Sequence, residues 1–587
     1  MKKTGAQILC ESLIKEGVEV IFGILGGAVL PIYDTFPQYP KLRHILVRHE
    51  QGAAHAADGY ARVTHKAGVC IATSGPGATN LVTGIANAYM DSAPMVAITG
   101  QVARPVIGKD AFQETDITGI TIPIVKHNYL VTDVTELAKT VKEAFHIAQT
   151  GRPGPVLIDI PRDIQQEQTD FVYPDKLDLP GYRVPSRGHP AQIKKAAKLI
   201  NEAEQPVIIA GRGIIISQAY DEFKEFAEKA QIPVTHTLLG LGSFPGSHIL
   251  DLGMLGMHGT PCANMAVQNA DLLISVGMRF DDRATGNTRE FAPNAHVIHI
   301  DIDPAEIGKN IPTDVPVVGD IKSVLTALNE LIERREHVDW LSQIEQWAYE
   351  HPSLEIRQSD ELLPQYIIYQ IYEVTHGDAL VVTGVGQNQM WAARYFVYTK
   401  PNSFISAGGL GPMGFELPAA MGVKVGCPDE VVWCVAGDGG FQMTMQELAT
   451  LTQENIAVKI AILNNGYLGM VRQWQELFYG RRYVDTKLWN PDFVKIAEAY
   501  DIPGLRVSRR EEVIPAILKA MEYPGPFLID FVIEPEENIY PIVPPGESLA
   551  RFFEPSKPEV LKEKFEKQLK TVQKGKNKIP MIKDESF

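Results

Sequence analysis

Two polar side chains that follow buried strands have the types and spacing to hold a divalent cation. The stretch VAGDGGFQM (435–443) places Asp438 between glycines, directly after an apolar run. Asn465 lies 27 positions later, in the pair NN at the end of the next apolar run. Because the carboxyl ends of neighbouring parallel strands share one edge of a sheet, the two side chains can converge there. One carboxylate and one amide oxygen suit a Mg²⁺ that completes its octahedron with phosphate oxygens and water.

The residues around Asp438 fit the anion that such a metal would carry. A diphosphate can approach the backbone at Gly437, Gly439 and Gly440, and a helix predicted from near Phe441 offers free N–H groups. Each half alone has an ordinary explanation, with Asp438 as a helix N-cap and Asn465 as a turn residue. The pair at this spacing, each after a buried strand, favours a magnesium diphosphate site.

A second candidate acid is Glu50, in HILVRHEQGAAHAADGYAR (44–62), where a predicted strand passes into a helix rich in small residues. Taken alone, Glu50 is a first-turn acid of the kind that the helix dipole favours. The alanines of this helix are explained by close helix packing. This stretch by itself therefore leaves the role of Glu50 open.

The GDG…NN spacing is similar to the thiamine-diphosphate motif, and residues 4 to 550 resemble the large, catalytic subunit of the acetohydroxyacid (acetolactate) synthase family. The resemblance implies Asp438 and Asn465 as side-chain ligands of Mg²⁺, with the Tyr467 carbonyl as a third ligand. It implies that Glu50, in RHEQGA, exchanges a proton with the aminopyrimidine of thiamine diphosphate so that the ylide forms. Such a group works best with a pKa raised by apolar burial. The other coenzyme-binding residues implied are Gly386, Gln387, Asn388, Gly411, Met413, Gly437, Gly439, Gly440 and Met470.

The resemblance also implies an FAD site in the middle of the chain. GMHG (256–259), RFDDR (279–283) and DIDPAEI (301–307) look like FAD-binding segments of the biosynthetic members, whereas flavin-independent catabolic relatives generally lack RFDDR. The residues implied are Arg152, Met257, His258, Gly259, Arg279, Asp282, Asp301 and Asp320. FAD has no net redox role in the family, so the implied role is structural. Without the resemblance, these residues are solvated loop charges or a weak signal for a ribose-bearing ligand.

The reaction implied joins two 2-keto acids. Pyruvate loses CO₂ on the cofactor, and the resulting carbanion attacks a second pyruvate or 2-oxobutyrate, giving 2-acetolactate or 2-aceto-2-hydroxybutyrate for valine, leucine and isoleucine synthesis. Arg283 matches the residue that holds the acceptor carboxylate, Gln113 matches an active-site glutamine, and Trp474 matches a residue bordering the acceptor pocket. By periodicity alone, Trp474 belongs to an apolar core stripe of its helix, with Met470, Val471, Leu477 and Phe478.

The family also implies a partner. Its members place the proton-exchanging acid and the diphosphate site on different subunits, which implies an obligatory homodimer or dimer of dimers. A separate regulatory small subunit is a further candidate partner that this sequence does not identify. Four positions depart from the usual family pattern: Leu25, Ile122, Arg162 and Asn388. They affect the expected shape of the entrance and inhibitor sensitivity, and none of them replaces Asp438, Asn465 or Glu50.

The elements that must position these residues are buried parallel strands. Ten apolar runs, of which nine end in Gly, Asp, Asn or Pro, have a continuous apolar character that indicates strands covered on both faces: 69–77, 94–100, 155–161, 206–211, 272–277, 296–303, 379–386, 431–440, 458–465 and 526–533. We predict an α/β protein of three doubly wound parallel-sheet domains. They are a pyrimidine-binding domain (1–165), a central FAD-binding domain (190–335) and a diphosphate-binding domain (365–550), separated by linkers at 166–192 and 332–363 and followed by a Lys-rich tail (556–587).

Composition excludes several other classes of protein. A chain of 587 residues is too long for one core, and a net charge of −16 argues against nucleic acid or an anionic membrane as a partner. No apolar run approaches the ~20 residues of a membrane span, and the start MKKTGAQILC lacks a signal peptide. Five cysteines without a CxxC pair are expected to be reduced. We therefore expect a cytoplasmic enzyme.

Three alternatives remain at this stage. A pyruvate oxidase or a flavin-free catabolic synthase would keep thiamine diphosphate and change the reaction. A dehydrogenase could use Gly409, Gly411 and Gly414, which satisfy G-x-G-x-x-G, although the prolines at 412 and 418 fit a fingerprint helix poorly. The third alternative is a silent ligand-binding scaffold, against which the joint presence of Glu50, Asp438 and Asn465 argues.

Overall fold

Three six-stranded parallel sheets covered by helices form the body of this computed structural model, which describes residues 2–554. The predicted α/β class of doubly wound sheets is therefore confirmed, and every one of the ten predicted runs contains a strand. The Lys-rich tail predicted at 556–587 lies outside the described residues. None of the described helices combines the length and apolarity that crossing a membrane requires.

The N-terminal domain has its sheet in the order β3-β2-β4-β5-β7-β6, and β1 and β8 form a separate antiparallel pair. Its strands are β1 (Lys2–Thr4), β2 (Val20–Gly23), β3 (Arg43–Leu46), β4 (Gly68–Ala72), β5 (Met95–Gln101), β6 (His127–Leu130), β7 (Pro155–Pro161) and β8 (Gln168–Asp170). Its helices are α1 (Gly5–Lys15), α2 (Leu30–Thr35), α3 (Glu50–Thr64), α4 (Pro76–Asn80), α5 (Val82–Met90), α6 (Ile117–Thr121), α7 (Leu137–Gln149) and α8 (Arg162–Gln166).

The central domain has its sheet in the order β11-β10-β9-β12-β13-β14, which is the 3-2-1-4-5-6 order of dinucleotide-binding folds when counted from β9. Its strands are β9 (Pro206–Ala210), β10 (Val234–His236), β11 (Asp251–Met254), β12 (Leu272–Val276), β13 (His296–Asp301) and β14 (Val315–Val318). Its helices are α9 (Pro190–Glu202), α10 (Arg212–Ile216), α11 (Tyr220–Ala230), α12 (Pro261–Asn269), α13 (Asp282–Thr285), α14 (Ile321–Asn329) and α15 (Val338–Glu350).

The C-terminal domain has its sheet in the order β16-β15-β17-β18-β20-β19. Its strands are β15 (Leu380–Thr383), β16 (Phe404–Ser406), β17 (Val432–Gly437), β18 (Val458–Asn464), β19 (Gly504–Val507) and β20 (Phe527–Val532). Its helices are α16 (Pro364–Thr375), α17 (Gln387–Tyr395), α18 (Glu416–Gly426), α19 (Asp438–Thr444), α20 (Leu448–Glu454), α21 (Gly469–Phe478), α22 (Phe493–Ala499) and α23 (Val513–Glu522). Counted from β2 and from β15, the N- and C-terminal sheets share the order 2-1-3-4-6-5, a repeat that the sequence does not show.

The N- and C-terminal domains share one hydrophobic core, which is centred on helices α3 and α18. Glycines allow these two helices to touch along their backbones. A Cβ added at Gly59 would lie 2.2 Å from the Ala419 carbonyl oxygen, and one added at Gly422 would lie 1.9 Å from that of Ala56. The small residues of α3 therefore serve close helix packing, as their composition predicts.

One predicted linker is structured. The segment 332–363 is charged and is predicted as a linker, but its middle forms helix α15, which packs against the central domain. Trp340 is 3% exposed, and its indole N–H donates to the Pro206 carbonyl at 3.1 Å. The linker prediction is wrong here because the buried side of α15 is narrow. Trp340 and Ile344 are spaced one turn apart, and most of the other residues of the helix are exposed.

Candidate active site

Asp438 and Asn465 follow β17 and β18, which are hydrogen-bonded neighbours in the C-terminal sheet. The carboxylate of Asp438 is held from one side. Its Oδ2 accepts from the Gly466 backbone N–H at 2.9 Å and from Asn490 Nδ2 at 2.6 Å. Asn490 also donates to Asn464 Oδ1 at 2.9 Å, so it ties the two strand ends together. Neither of these two donors is bonded to Oδ1 of Asp438.

The local explanation of Asp438 as an N-cap is wrong. Helix α19 begins at Asp438 itself, three residues before the predicted start near Phe441, and its N-cap is Gly437, which makes no side-chain capping bond. Asp438 is 1% exposed, and burial raises its pKa to about 6 despite the hydrogen bonds from Asn490 and Gly466, which lower it. Within residues 2–554 the groups that bond to this carboxylate are the Asn490 amide and backbone N–H groups, none of which is charged. A buried acid of this kind fits a bound cation.

The side-chain amide of Asn465 is oriented by its neighbours. Its Nδ2 donates to Gln387 Oε1 at 3.2 Å, while Gln387 Nε2 donates to Gln473 Oε1 and to the Glu537 carbonyl, both at 2.9 Å. This chain of hydrogen-bonded amides fixes the Asn465 amide nitrogen toward Gln387, so the Asn465 side-chain oxygen faces away from Gln387. That oxygen accepts from the Tyr467 backbone N–H at 3.0 Å and has a second lone pair for a metal.

The Tyr467 carbonyl is unused by the loop that carries it. A short antiparallel bridge joins Tyr467 to Lys487, through bonds from Leu468 N–H to the Thr486 carbonyl and from Leu488 N–H to the Gly466 carbonyl. Both bonds bypass the Tyr467 oxygen. The third predicted ligand is therefore free to point at a metal.

A cleft of about 80 Å³ lies over these groups. Its lining includes most of the predicted diphosphate-side residues: Gly386, Gln387, Asn388, Met413, Gly437, Asp438, Gly439, Gly440, Asn465, Tyr467 and Met470. Gly386 has a φ of +131°, which side chains avoid, so the loop after β15 needs glycine there. Gly386 and Met470 also line a second, larger cavity, which places the two spaces next to each other.

The larger cavity, of about 780 Å³, lies where the three domains meet. Of the predicted cofactor and substrate residues, it is lined by Arg152, Met257, His258, Arg279, Asp282, Arg283, Asp301, Asp320, Gly386, Gly411, Met470 and Trp474. Gly259 is not among the lining residues within the described chain. A Cβ added there would lie 2.5 Å from the Leu255 carbonyl carbon, so Gly259 serves a close backbone approach.

Several polar atoms of this cavity lack partners. His258 Nδ1 and Glu306 Oε2 are buried without a hydrogen bond in the described chain. Burial, and after it the charges of Arg394 and Arg283, lowers the pKa of His258 to about 3, which keeps the ring neutral. Burial raises the pKa of Asp301 to about 6. By contrast, Arg152 is engaged by Glu306 at 2.7 Å and Asp303 at 3.3 Å, and Asp320 caps α14 through the Ser323 backbone N–H at 3.0 Å.

Arg212 is a cavity residue that the sequence analysis missed. It follows β9, at the strand pair β9–β12 where the order of the central sheet reverses and where ligands of such sheets bind. No hydrogen bond or ion pair to its side chain is found in residues 2–554, and its Nε is buried without a partner. Burial, and then the charge of Arg62, lowers the pKa of Arg212 to about 9. The available signal was GRG directly after an apolar run.

Arg283 and Trp474 lie together at one wall of the larger cavity. The guanidinium carbon of Arg283 is 5.7 Å from the centre of the Trp474 ring, a cation–π distance, and the Arg283 side chain is 58% exposed. The indole N–H of Trp474 has no partner in the described chain. The Arg283 guanidinium also pairs with Asp282 at 3.2 Å, at an exposed position. This wall therefore joins a solvent-exposed guanidinium to an apolar ring.

The apolar stripe of α21 is only partly buried. Three of its members, Trp474, Leu477 and Phe478, pack against a small hydrophobic cluster, and Met470 packs against the core of the C-terminal domain. The fully buried residues of this helix are Arg472 and Gln473, and Val471 is 51% exposed. Gln473 exchanges two hydrogen bonds with the backbone of Ile539, at 3.0 and 2.9 Å, and Arg472 binds Asn538. Hydrogen bonds to the loop at 537–539 compensate the burial of the polar face, which leaves Met470 and Trp474 to the cavities.

Glu50 and Gln113 lie apart from both cavities. Glu50 begins α3, its Oε2 accepts from Asn80 Nδ2 at 2.9 Å, and a Cβ added at Gly77 would lie 3.2 Å from its Oε1. Gln113 has a φ of +60°, and its carbonyl oxygen would lie 2.7 Å from a Cβ added at Gly75. Within the described part of the chain neither residue lines the two cavities.

The dehydrogenase fingerprint is not formed. Residues 409–414 form a loop, and helix α18 begins only at Glu416. The N–H groups of Gly408 and Gly409, which a phosphate would need, donate to Asp91 at 3.0 and 2.7 Å. The G-x-G-x-x-G spacing here is a coincidence of a glycine-rich loop.

Comparison with known proteins gives matches along most of the chain. Three family models match: the N-terminal TPP binding domain of thiamine pyrophosphate enzymes over residues 3–120, their central domain over 193–328 and their C-terminal TPP binding domain over 384–531. The acetolactate synthase large subunit of Mycobacterium tuberculosis is 52% identical over 558 residues, which cover 93% of this chain and 90% of the relative. That of Corynebacterium glutamicum is 51% identical over 93% of this chain and 89% of the relative. That of Porphyra purpurea is 49% identical over 95% and 96%.

Replacing Asn490 tests whether the orientation of the Asp438 carboxylate matters for metal binding. Asn490→Ala removes the stronger donor to Oδ2, so we expect the affinity for Mg²⁺, titrated calorimetrically in the presence of thiamine diphosphate, to fall by about 10- to 100-fold. Asp438→Ala should abolish binding in the same assay. Asn269→Ala, on an exposed helix end, is the matched control and should bind as the wild type does. Unchanged affinity in Asp438→Ala would exclude the site.

Proposed function

Because this chain belongs to the acetolactate synthase large-subunit family of thiamine pyrophosphate enzymes, we propose that it condenses two 2-keto acids on Mg²⁺–thiamine diphosphate. The products proposed are 2-acetolactate from two pyruvates and 2-aceto-2-hydroxybutyrate from pyruvate and 2-oxobutyrate. The observation that carries the proposal is the buried carboxylate of Asp438, which has no Lys or Arg partner in the described chain. It lies beside the oriented amide of Asn465 and the unused carbonyl of Tyr467, at the ends of two adjacent strands.

The cleft over Asp438 fits a diphosphate and its metal. Glycines at 386, 437 and 439 leave backbone free of side chains, and Asn388 is held by a 2.9 Å bond to the Val435 carbonyl. Asp438, Asn465 and the Tyr467 carbonyl would hold Mg²⁺, and Met413 would support the coenzyme from below. When bound, thiamine diphosphate supplies the electron sink for decarboxylation of a keto acid.

Glu50 would hold the proton that starts the reaction. Its carboxyl is fixed by Asn80 and by the start of α3, so one oxygen is oriented while the other remains for a ligand. Since Glu50 and Gln113 do not line the cavities of their own chain, the proposal includes a homodimer or dimer of dimers in which each subunit supplies them to its neighbour. A regulatory small subunit is proposed as a further partner, on the strength of the large-subunit names of the relatives.

The larger cavity fits FAD. Its orphaned atoms, Arg212 Nε and His258 Nδ1, are groups that a nucleotide can pair with, and its sheet has the dinucleotide-binding order. The lining of this cavity also carries positive charge, from Arg152, Arg279 and Arg283, and a hydrogen-bond acceptor, the Asp301 carboxylate. We propose a structural FAD there, which leaves the mouth beside Trp474 to the substrate.

Arg283 and Trp474 would receive the second keto acid. A guanidinium can bind a carboxylate through two parallel hydrogen bonds, and the exposed pair with Asp282 is one that a substrate carboxylate could replace. The ring beside it offers apolar contact to the alkyl end of the acceptor. One additional methylene in such a site is worth about 1–3 kcal/mol, so selectivity for 2-oxobutyrate is a matter of degree.

The decisive assay measures acetolactate from pyruvate with each cofactor withheld in turn. We expect product formation to require thiamine diphosphate and Mg²⁺, and expect FAD to be bound without being bleached by pyruvate. Product without thiamine diphosphate would refute the proposal, and bleaching of the flavin would indicate an oxidase.

Glu50→Gln keeps the Asn80 hydrogen bond and removes the exchangeable acid. We expect hydrogen–deuterium exchange at C2 of bound thiamine diphosphate, followed by NMR after acid quench, to slow by about 100-fold or more. Coenzyme affinity should change by less than about threefold, because the metal ligands are intact. Glu361→Gln, in an exposed loop, is the control. Wild-type exchange in Glu50→Gln would remove this assignment.

Trp474→Leu tests the acceptor site. Loss of the ring should lower the preference for 2-oxobutyrate over pyruvate by about tenfold, read as the product ratio in competition. Trp489→Leu changes a tryptophan that is 87% exposed and lies outside both cavities, and it should leave the ratio unchanged. An unaltered ratio in Trp474→Leu would contradict the role in selectivity.

A further inference from the structure

Glu447 is a buried acid that none of the preceding roles explains. It ends the short 3₁₀ turn Met445–Glu447 that joins α19 to α20, nine residues after Asp438, and it is 0% exposed. Burial, the largest effect, raises its pKa, against hydrogen bonds from Thr450, Arg48 and His49, which lower it. Its carboxylate crosses from the C-terminal domain to the N-terminal domain.

The partners of this carboxylate are the backbone groups that precede Glu50. Glu447 Oε1 accepts from the Arg48 N–H at 3.0 Å and from the His49 N–H at 3.1 Å. Oε2 accepts from the Arg48 N–H at 3.2 Å and from Thr450 Oγ1 at 2.7 Å. Since His49 is the N-cap of α3 and Glu50 its first residue, the acid lies where the helix dipole is positive and N–H groups lack helical partners.

The first turn of α3 is shaped around this contact. A Cβ added at Gly52 would lie 2.5 Å from Glu447 Oε1, so the carboxylate rests directly on the helix backbone. Within α3, His49 Nδ1 accepts from the Gln51 N–H at 3.1 Å, so the side-chain cap and Glu447 act on different N–H groups. Position and orientation of the helix start are both fixed.

Other contacts hold the seam between the domains without touching the helix start. The Arg48 side chain donates to Gln453 at 2.7 Å, and Arg43 pairs with Glu454 at 3.1 Å, near the end of α20. Holding the domains together is therefore not the distinctive task of Glu447. What it alone adds is a buried clamp on the two N–H groups before Glu50.

We propose that Glu447 is a positioning residue, which clamps the start of α3 and thereby sets where the Glu50 carboxyl lies. The inference rests on the proposed function, in which Glu50 exchanges the proton that activates thiamine diphosphate. A glutamine at 447 has one acceptor oxygen in place of two and no charge, so it cannot reproduce the clamp. A misplacement of about 1 Å at such an acid costs up to about 100-fold in rate.

The test separates proton removal from coenzyme binding. In the full-length protein loaded with Mg²⁺–thiamine diphosphate, we expect Glu447→Gln to slow C2 hydrogen–deuterium exchange by about 10- to 100-fold, with coenzyme affinity within about threefold of wild type. Gln453→Ala, which breaks the Arg48 side-chain contact on the same seam, should exchange at the wild-type rate.

A second variant reaches the same clamp without changing Glu447. Gly52→Ala places a methyl group 2.5 Å from Oε1 and favours the helix by propensity, so it displaces the carboxylate while α3 remains helical. We expect Gly52→Ala to slow exchange to the same extent. This variant remains decisive if Glu447→Gln fails to fold. Wild-type exchange in either folded variant overturns the positioning role. Absence of accelerated exchange in the wild-type protein refutes the proposed function instead.

Discussion

A buried carboxylate without a protein counter-charge is the constraint around which the C-terminal domain is arranged. Asp438 is 1% exposed at the end of a parallel strand, and the donors that reach it are neutral: a backbone N–H and the Asn490 amide. Neutral donors orient a carboxylate but do not neutralise it. The surrounding amides therefore have to present their oxygens together, and Gln387 and Gln473 are buried to keep Asn465 turned that way. This uncompensated charge is what the proposed Mg²⁺ site rests on.

The sequence predicted the central strands well and the edges poorly. All ten predicted runs hold strands, since strands covered on both faces must be continuously apolar. Most of the missed strands lie at or next to sheet edges, such as β6 and β19, where half-exposed polar residues interrupt the pattern. Helix α15 was missed because its buried side is narrow and most of its other residues are exposed.

For the site, the sequence predicted which residue types end the strands, but not what orients them. The spacing of Asp438 and Asn465 after two buried strands predicted both residues. Asn490, in contrast, lies in a loop 52 positions from the acid to which it donates, and no local pattern marks it. Arg212 was missed because a single arginine between glycines carries no periodicity. Periodicity alone assigns the apolar stripe of α21 to the core, because it does not distinguish a face that is buried by protein from one that lines a cavity.

The glycine contact between α3 and α18 has a consequence for how the chain can be divided. With backbones in contact at Gly59 and Gly422, the N- and C-terminal domains have no independent surface there, and either one expressed by itself would present a long apolar helix face to water. The central domain has a core of its own. The other face of its sheet packs against Val543 and Leu549, which follow the C-terminal domain. A chimera of two relatives must therefore take both outer domains from one parent, and its central domain must match them at this contact.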